Sequence, residues 1–349
     1  MVLRKTAIAL TLLLAWAGTA AAGPALLFDV TTGKVLYAED QDQPWHPASL
    51  TKIMTAYMTF EALRANKISL EQKIATSANA HAQPPSKLGL PVGAEITVNL
   101  ALKALIVKSA NDAAVMLAEA IGGTEEAFMV QMNDAARRIG MTQTRFVNPH
   151  GLPAPEQVTT ARDLARLTRV VVRDYPEYGE MWGMVDVQVG RRRLRTHNGL
   201  LRTYEGADGL KTGFICDSGF NVVASATRDD RRLVAVVLGE YTSRDRSLRA
   251  ASLLEHGFRN YGWKEFFSTT TVDSLPVSAD ATAVHSIRQH VASFACNPRR
   301  NAGVSRDKQK RLRGRKRATA KAKPATKGRS SAAARATRSS SAKSAVKSE

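Results

Sequence analysis

Residues 47–56 read Pro47-Ala48-Ser49-Leu50-Thr51-Lys52-Ile53-Met54-Thr55-Ala56. From Ser49 to about Ala65 the apolar residues recur with helical spacing, and the pattern asks for a buried helix. A hydroxyl and an amine nonetheless stand three positions apart in it. On a helix such a pair shares one face, with Cβ atoms about 5–6 Å apart. A serine hydroxyl is a poor nucleophile until a base takes its proton. A lysine with its ordinary pKa of about 10.4 is charged at neutral pH and cannot be that base. Burial beside Ile53, Met54 and Ala56, or a second cation nearby, lowers the value by several units. Ser49 and Lys52 therefore read as nucleophile and proton acceptor, although such a pair alone is commonplace on surface helices.

Two further stretches give the pair its context. Ser109-Ala110-Asn111 opens a second predicted helix, and Lys211-Thr212-Gly213 precedes a pair of predicted strands. Taken singly, the first is an ordinary helix start and the second a strand-edge turn. Their order, separation and placement on helix, helix and strand make coincidence a poor explanation.

Working outward, Ala25–Val30 and Lys34–Ala38 flank Thr31-Thr32-Gly33 as a hairpin. Helical spacing recurs over Leu100–Val107, Asp112–Ile121, Thr124–Ile139 and Ala161–Val172. Strands return at Asn221–Thr227 and Arg232–Gly239, around a short charged turn, and Ser243–Tyr261 closes as a helix. This order predicts an α+β fold: early and late strands in one antiparallel sheet, flanked by helices, with a mostly helical subregion between.

Residues 1–22 read as a secretory signal. Arg4 and Lys5 precede an apolar run too short for a comfortable membrane span, and Ala20-Ala21-Ala22 supplies the small-residue cleavage pattern. An uncleaved membrane anchor is the alternative. The expected destination is a bacterial periplasm or cell envelope. The organisation is then signal 1–22, catalytic domain 23–264, linker or small appendage 265–296, and basic tail 297–349.

Of the net charge of +19, +16 lies in the tail, where 18 basic residues face 2 acids. The rest of the chain holds 32 bases and 29 acids, so the folded part is nearly neutral and no specific nucleic-acid binding is expected. The tail has almost no apolar residues beyond alanine and is expected to be disordered. It reads either as a solvated extension or as an electrostatic contact to anionic lipid or wall polymer. Two cysteines, Cys216 and Cys296, make no disulfide framework, and structural pairing and unrelated burial both stand open. Seven histidines show no metal-ligand spacing, and no cofactor is expected.

The three motifs are those shared by penicillin-binding proteins and class A β-lactamases. With Pro47–Thr55, Phe146–Leu152, Asn198–Leu201 and Asp208–Phe214, the chain over about residues 25–262 resembles the low-molecular-mass penicillin-binding serine DD-peptidases, the D-alanyl-D-alanine carboxypeptidases. The resemblance implies their β-lactamase/DD-peptidase-like fold. It also implies that Ser49 is acylated by peptidoglycan stem peptides, or by β-lactam antibiotics as covalent inhibitors, with Lys52 taking the proton. Ser109 would relay it to the leaving amine. Asn111 would bind the substrate backbone and steady Lys52, and Lys211 would keep Lys52 neutral near the substrate carboxylate. Thr212 and Arg246 would hold that carboxylate, next to Gly213. The N–H groups of Ser49 and Phe214 would form the oxyanion hole.

Larger family members continue into a β-rich domain and an amphipathic membrane helix; here the basic tail stands in that place. Peripheral attachment through the tail is the corresponding expectation. The motifs do not separate a carboxypeptidase from a DD-endopeptidase, since both cut the same kind of bond. A β-lactamase would need a base for deacylation, and Glu156-Gln157-Val158-Thr159 lacks the Leu-Asn that follows that base in class A enzymes. A polyanion-binding protein with the tail as its working part is the reading from a different class.

Overall fold

The computed structural model describes residues 23–267, 269–278, 283–292 and 296, all within one unit that ends at Cys296. The expected signal and basic tail lie outside the described residues. Strands β1 (Ala25–Asp29) and β2 (Val35–Glu39) form the expected hairpin, and helix α1 (Thr51–Arg64) continues a short 3-10 turn, Ala48–Leu50. The small pair β3 (Lys73–Ala75) and β4 (Glu95–Thr97) brackets α2 (Ala78–Ala82). Next come α3 (Val98–Lys103), a wide-turned segment Ala104–Lys108, α4 (Asn111–Gly122), α5 (Glu125–Arg138), α6 (Ala161–Asp174) and α7 (Gly179–Gly183). A second small pair, β5 (Asp186–Val189) with β6 (Arg192–Arg195), and α8 (Leu200–Thr203) lead into the late strands β7 (Ala207–Ile215), β8 (Gly219–Arg228) and β9 (Arg231–Glu240). Helix α9 (Ser243–Phe267) follows, and α10 (Arg288–Ala292) lies beyond it.

The main sheet has the order β2-β1-β9-β8-β7 and is antiparallel throughout. Early and late strands meet where Ala25–Asp29 pairs with Leu233–Val237, as the sequence pattern requires. The β8–β9 connection is Asp229-Asp230, both at positive φ (48° and 59°). That conformation suits the right-handed strand twist, and aspartate tolerates it better than most residues.

Both faces of the sheet are covered, which explains unbroken apolar runs such as Leu233–Leu238. Leu26, Phe28, Val234 and Val236 face the cluster that includes α1, α4 and α6. Ala25, Leu27, Leu233, Ala235 and Val237 face Ala250, Leu254 and Tyr261 of α9. Helix α1 lies at the centre of the first cluster, with every residue from Thr51 to Phe60 buried. Its near-absence of a polar face is the sequence signature of that position.

The chain after α9 packs back on the domain. Val35 N–H bonds to Thr270 O and Val272 N–H to Gly33 O, both at 2.9 Å. The buried Arg162 guanidinium grips Asp42 at 2.6 and 2.8 Å and donates to the carbonyls of Leu275 (2.5 Å) and Pro276 (2.7 Å). The two cysteines, whose pairing the sequence leaves open, form a disulfide between the β7–β8 turn and residue 296.

Candidate active site

Three elements converge on Ser49. The first is its own helix. Lys52 is 0% exposed, and its Nζ donates to Ser49 Oγ at 3.1 Å, Asn111 Oδ1 at 2.8 Å and the His150 carbonyl at 2.5 Å. Three acceptors around one amine leave it fixed toward the hydroxyl. Burial, then the charge of Lys211, pushes its pKa well below the ordinary lysine range, against a smaller opposing pull from Asp112. The shift is in the direction a proton acceptor needs.

The second element is the entry to α4. Ser109 sits in the left-handed region (φ 59°, ψ 39°) where the wide-turned segment ends. A non-glycine residue there costs on the order of 1 kcal/mol or more, a strain that collects at functional sites. It turns the hydroxyl away from the helix end. No side chain caps α4; instead Ser109 Oγ accepts from Lys211 Nζ at 2.9 Å. Asn111 reaches Lys52 with its oxygen and the Pro84 carbonyl with its nitrogen, at 2.8 Å each.

The third element is β7, an edge strand of the sheet. Lys211 is buried, and burial followed by the charge of Arg246 lowers its pKa to about 7. Arg246, on the first turns of α9, is itself buried, which lowers it to about 10, and its Nε has no hydrogen-bond partner. A buried guanidinium with an unpartnered Nε beside a cleft is arranged for an anion. Gly213 lets the strand lie against the start of the nucleophile's helix: a Cβ there would come within 2.9 Å of Pro47 O and 3.1 Å of Ser49 N.

These residues line one cleft of about 450 Å³. Ser49, Ser109 and Asn111 lie on its walls together with Thr212, Gly213, Phe214 and Arg246. Lys52 and Lys211 stand just behind it, bonded to the two serines. Every site residue predicted from sequence is therefore in or against this cleft. Among the described residues, no aspartate or glutamate lines it. Glu156 pairs instead with Arg145 at 2.9 Å and is not among the lining residues, while Gln157 is buried and braces Thr51 at 3.1 Å. No cluster of histidine, cysteine or acidic residues that could hold a metal occurs among the described residues.

Several contributors are given no role by the sequence, although some lie in the stretch Phe146–Leu152. The His150 group that meets Lys52 is a main-chain carbonyl, presented by a loop whose Gly151 has φ +85° and would place a Cβ 1.8 Å from Ala48 O. Asn148 and Gln157 knit that loop, with Asn148 Oδ1 accepting from Gly151 N at 2.7 Å. His197, Ser86 and Ser243 also line the cleft. Of these, His197 alone adjoins a stretch the sequence singles out, Asn198–Leu201.

Comparison with known proteins agrees with this geometry. Residues 14–242 match the family model of peptidase family S11, D-alanyl-D-alanine carboxypeptidase. The chain is 38% identical over 266 residues to the D-alanyl-D-alanine carboxypeptidase DacC of Escherichia coli (strain K12), covering 74% of this chain and 64% of that relative. The chain thus spans a little under two thirds of that relative's length. Among solved structures it is similar to penicillin binding protein 5 from Haemophilus influenzae (TM-score 0.66, 35% identity, covering 68% of this chain and 71% of that one). It is also similar to Penicillin-Binding Protein D2 from Listeria monocytogenes in an ampicillin-bound form (TM-score 0.60, 31% identity, covering 68% and 97%). From the serine–lysine pair, the matched family model and these neighbours together, the chain belongs to the D-alanyl-D-alanine carboxypeptidase family, peptidase S11.

Proposed function

We propose that this chain is a serine-type D-Ala-D-Ala carboxypeptidase that removes the terminal D-alanine of peptidoglycan stem peptides through an acyl-enzyme and is acylated by β-lactams. The observation that carries the reading is the buried amine of Lys52, 3.1 Å from Ser49 Oγ and held beside a second buried lysine. Ser49 Oγ attacks the carbonyl carbon of the D-Ala-D-Ala bond while its proton passes to Lys52 Nζ. The carbonyl electrons move to oxygen, which the N–H groups of Ser49 and Phe214 receive; removing one such donor typically costs about 10²–10³ in rate. The C–N bond then breaks, and the departing amine takes the proton from Lys52 by way of the Ser109 hydroxyl. Water hydrolyses the ester left on Ser49. Thr212, Lys211 and Arg246 hold the terminal carboxylate of the substrate.

Export to the periplasm or cell envelope belongs to the same reading, supported by the composition of residues 1–22. The basic tail would hold the enzyme on anionic lipid or wall polymer. If salt washing releases full-length and tail-deleted protein from membranes and sacculi alike, that attachment is wrong.

The test of the catalytic reading is labelling with a fluorescent penicillin. Wild type takes up one label per chain and Ser49→Ala none; a labelled Ser49→Ala protein overturns it. Release of free D-alanine from a pentapeptide ending in D-Ala-D-Ala, against cleavage of a cross-linked dimer, separates the carboxypeptidase from the endopeptidase.

A further inference from the structure

The family match stops at residue 242, yet the chain that follows α9 returns to the rim of the cleft. The β7–β8 hairpin carries Phe214, Ile215 and Phe220, all cleft-lining, and its turn is Cys216-Asp217-Ser218. Because β7 is an edge strand, no further strand among the described residues steadies that end from outside. Residues 283–292 pack instead against the turn at the end of that strand.

Their contacts concentrate on the turn. Asp217 accepts from Ser286 Oγ at 3.0 Å and from two nitrogens of Arg288 at 2.8 and 2.9 Å. Its main-chain carbonyl accepts from Ile287 N at 3.0 Å. The Ile287 side chain fills the space beside Gly219, where a Cβ would lie 2.4 Å from its Cδ1. His290 stacks on Tyr241, just ahead of Ser243 and Arg246, with ring centroids 5.3 Å apart. Cys296 closes the arrangement through its disulfide to Cys216. On the inner side, Ser218 O accepts from Trp45 Nε1 at 3.0 Å, and Trp45 lies on the segment that enters the Ser49 turn.

We propose that residues 283–292 form a strap that positions the catalytic hairpin, with the Cys216–Cys296 bond as its clasp, so that acylation of Ser49 depends on the disulfide. The strap and Trp45 hold the turn between them. That fixes the Phe214 N–H relative to the Ser49 N–H, which stands on the Trp45 side. The Arg288–Asp217 pair is too exposed to do this alone, since surface ion pairs hold weakly. A covalent link ending at the turn removes the freedom they leave. The proposal rests on the acyl-enzyme reading only for its kinetic consequence.

The test compares wild type, Cys216→Ser/Cys296→Ser and Arg288→Ala, and adds wild type treated with dithiothreitol, which cyclises to its own disulfide as Cys216 and Cys296 become thiols. With fluorescent penicillin at saturating concentration, the acylation rate is expected to fall at least five-fold in the double variant and in reduced wild type, and two- to three-fold in Arg288→Ala. Labelling stoichiometry should stay at one per chain. Rates equal to wild type, or lost stoichiometry with an unchanged rate in the remaining sites, overturn the positioning role. Backbone amide exchange over residues 213–220, which needs no reaction, should quicken at least ten-fold in the double variant. Unchanged exchange refutes the strap outright, whereas a wild type that takes no label while exchange quickens counts against the acyl-enzyme reading and leaves the strap standing.

Discussion

Gly213 is where a single methyl group tests the proposed oxyanion hole most directly. Its φ is not positive, so alanine meets no backbone objection, and only space decides the outcome. An added Cβ would stand 2.9 Å from Pro47 O, 3.1 Å from Ser49 N and 3.2 Å from Ala48 Cβ, short of ordinary 3.4 Å contact by 0.5, 0.3 and 0.2 Å. All three atoms belong to the segment that presents Ser49, and that segment cannot retreat. Asn221 Nδ2 holds the His46 carbonyl at 3.0 Å, Thr51 Oγ1 holds the Ala48 carbonyl at 2.9 Å, and Gly151 is packed against the latter. The edge strand β7 is what gives way, by about half an ångström, and it takes the Phe214 N–H with it.

A misplacement of about 1 Å in a reacting geometry costs roughly a hundredfold, and complete loss of an oxyanion donor about 10²–10³. Half that displacement in Gly213→Ala should slow acylation by labelled penicillin about 10- to 100-fold, which is about 1.4–2.7 kcal/mol of transition-state stabilisation. Stoichiometry at long times should remain one label per chain, because the nucleophile and its lysine are untouched. An acylation rate within twofold of wild type would refute the reasoning: β7 would then not supply a donor, or the contact would be relieved elsewhere.

Lys211→Met should make the protein more stable and nearly inactive. The folded-state pKa of about 7 lies below the unfolded lysine value. Below pH 7 both states hold the proton and the full burial penalty stands; as pH rises toward about 10.4 the unfolded state keeps its proton longer, and wild-type stability increases. Methionine removes the penalty at the cost of the bond to Ser109, so urea unfolding at pH 6 should show a gain of about 1–3 kcal/mol that narrows at pH 9.5. A variant less stable than wild type at pH 6 would contradict this. Arg246→Ala should raise the KM for D-Ala-D-Ala peptides about 10-fold or more through lost carboxylate binding, an interaction of the charge-assisted class. It should also move the alkaline limb of kcat/KM upward, since removing a like charge lets Lys211 hold its proton to higher pH; an unmoved limb counts against Lys211 as its source. Arg162→Met leaves Asp42 buried and unpaired and should cost about 3–5 kcal/mol by denaturant midpoint, with limited proteolysis newly cutting residues 269–278. A cost below 1 kcal/mol would mean that the pair does not anchor that segment.

The parts of this molecule that could be read in advance are those with a long period or a local rule. The runs at Ala25–Asp29 and Leu233–Leu238 had to be buried strands, and their pairing follows from a single sheet needing both. Ser49 and Lys52 were legible because helical spacing alone puts them on one face. The third strand of the late meander was less so. Lys211-Thr212-Gly213 could be placed on a strand, but nine residues containing two glycines and a lysine do not alternate as a half-buried strand does. The pairs β3–β4 and β5–β6 are three and four residues long, below the length at which periodicity means anything. Long-range contacts left still less trace. A main-chain carbonyl such as that of His150 has no residue type to announce it. Two cysteines eighty positions apart say nothing of geometry until the chain between them is folded.

The site is costly to the fold, and the arrangement of the core answers that cost. Lys52, Lys211 and Arg246 are three buried basic side chains, two of them lowering a neighbour's pKa, in a cleft with no acid on its walls among the described residues. Ser109 adds backbone strain. Such a cluster would spread or fill with water if its supports could move, since each group gains by hydration. The supports cannot move far. The nucleophile's helix is enclosed on all sides, so its face is set by packing and not by the catalytic contacts themselves. Among the described residues β7 has no strand on its outer side, and at its turn the chain adds its own brace from residues 283–292. A lysine can be kept neutral at physiological pH only where the scaffold is rigid enough to deny it water. That requirement accounts for an otherwise apolar helix carrying Ser49 and Lys52 into the middle of the protein.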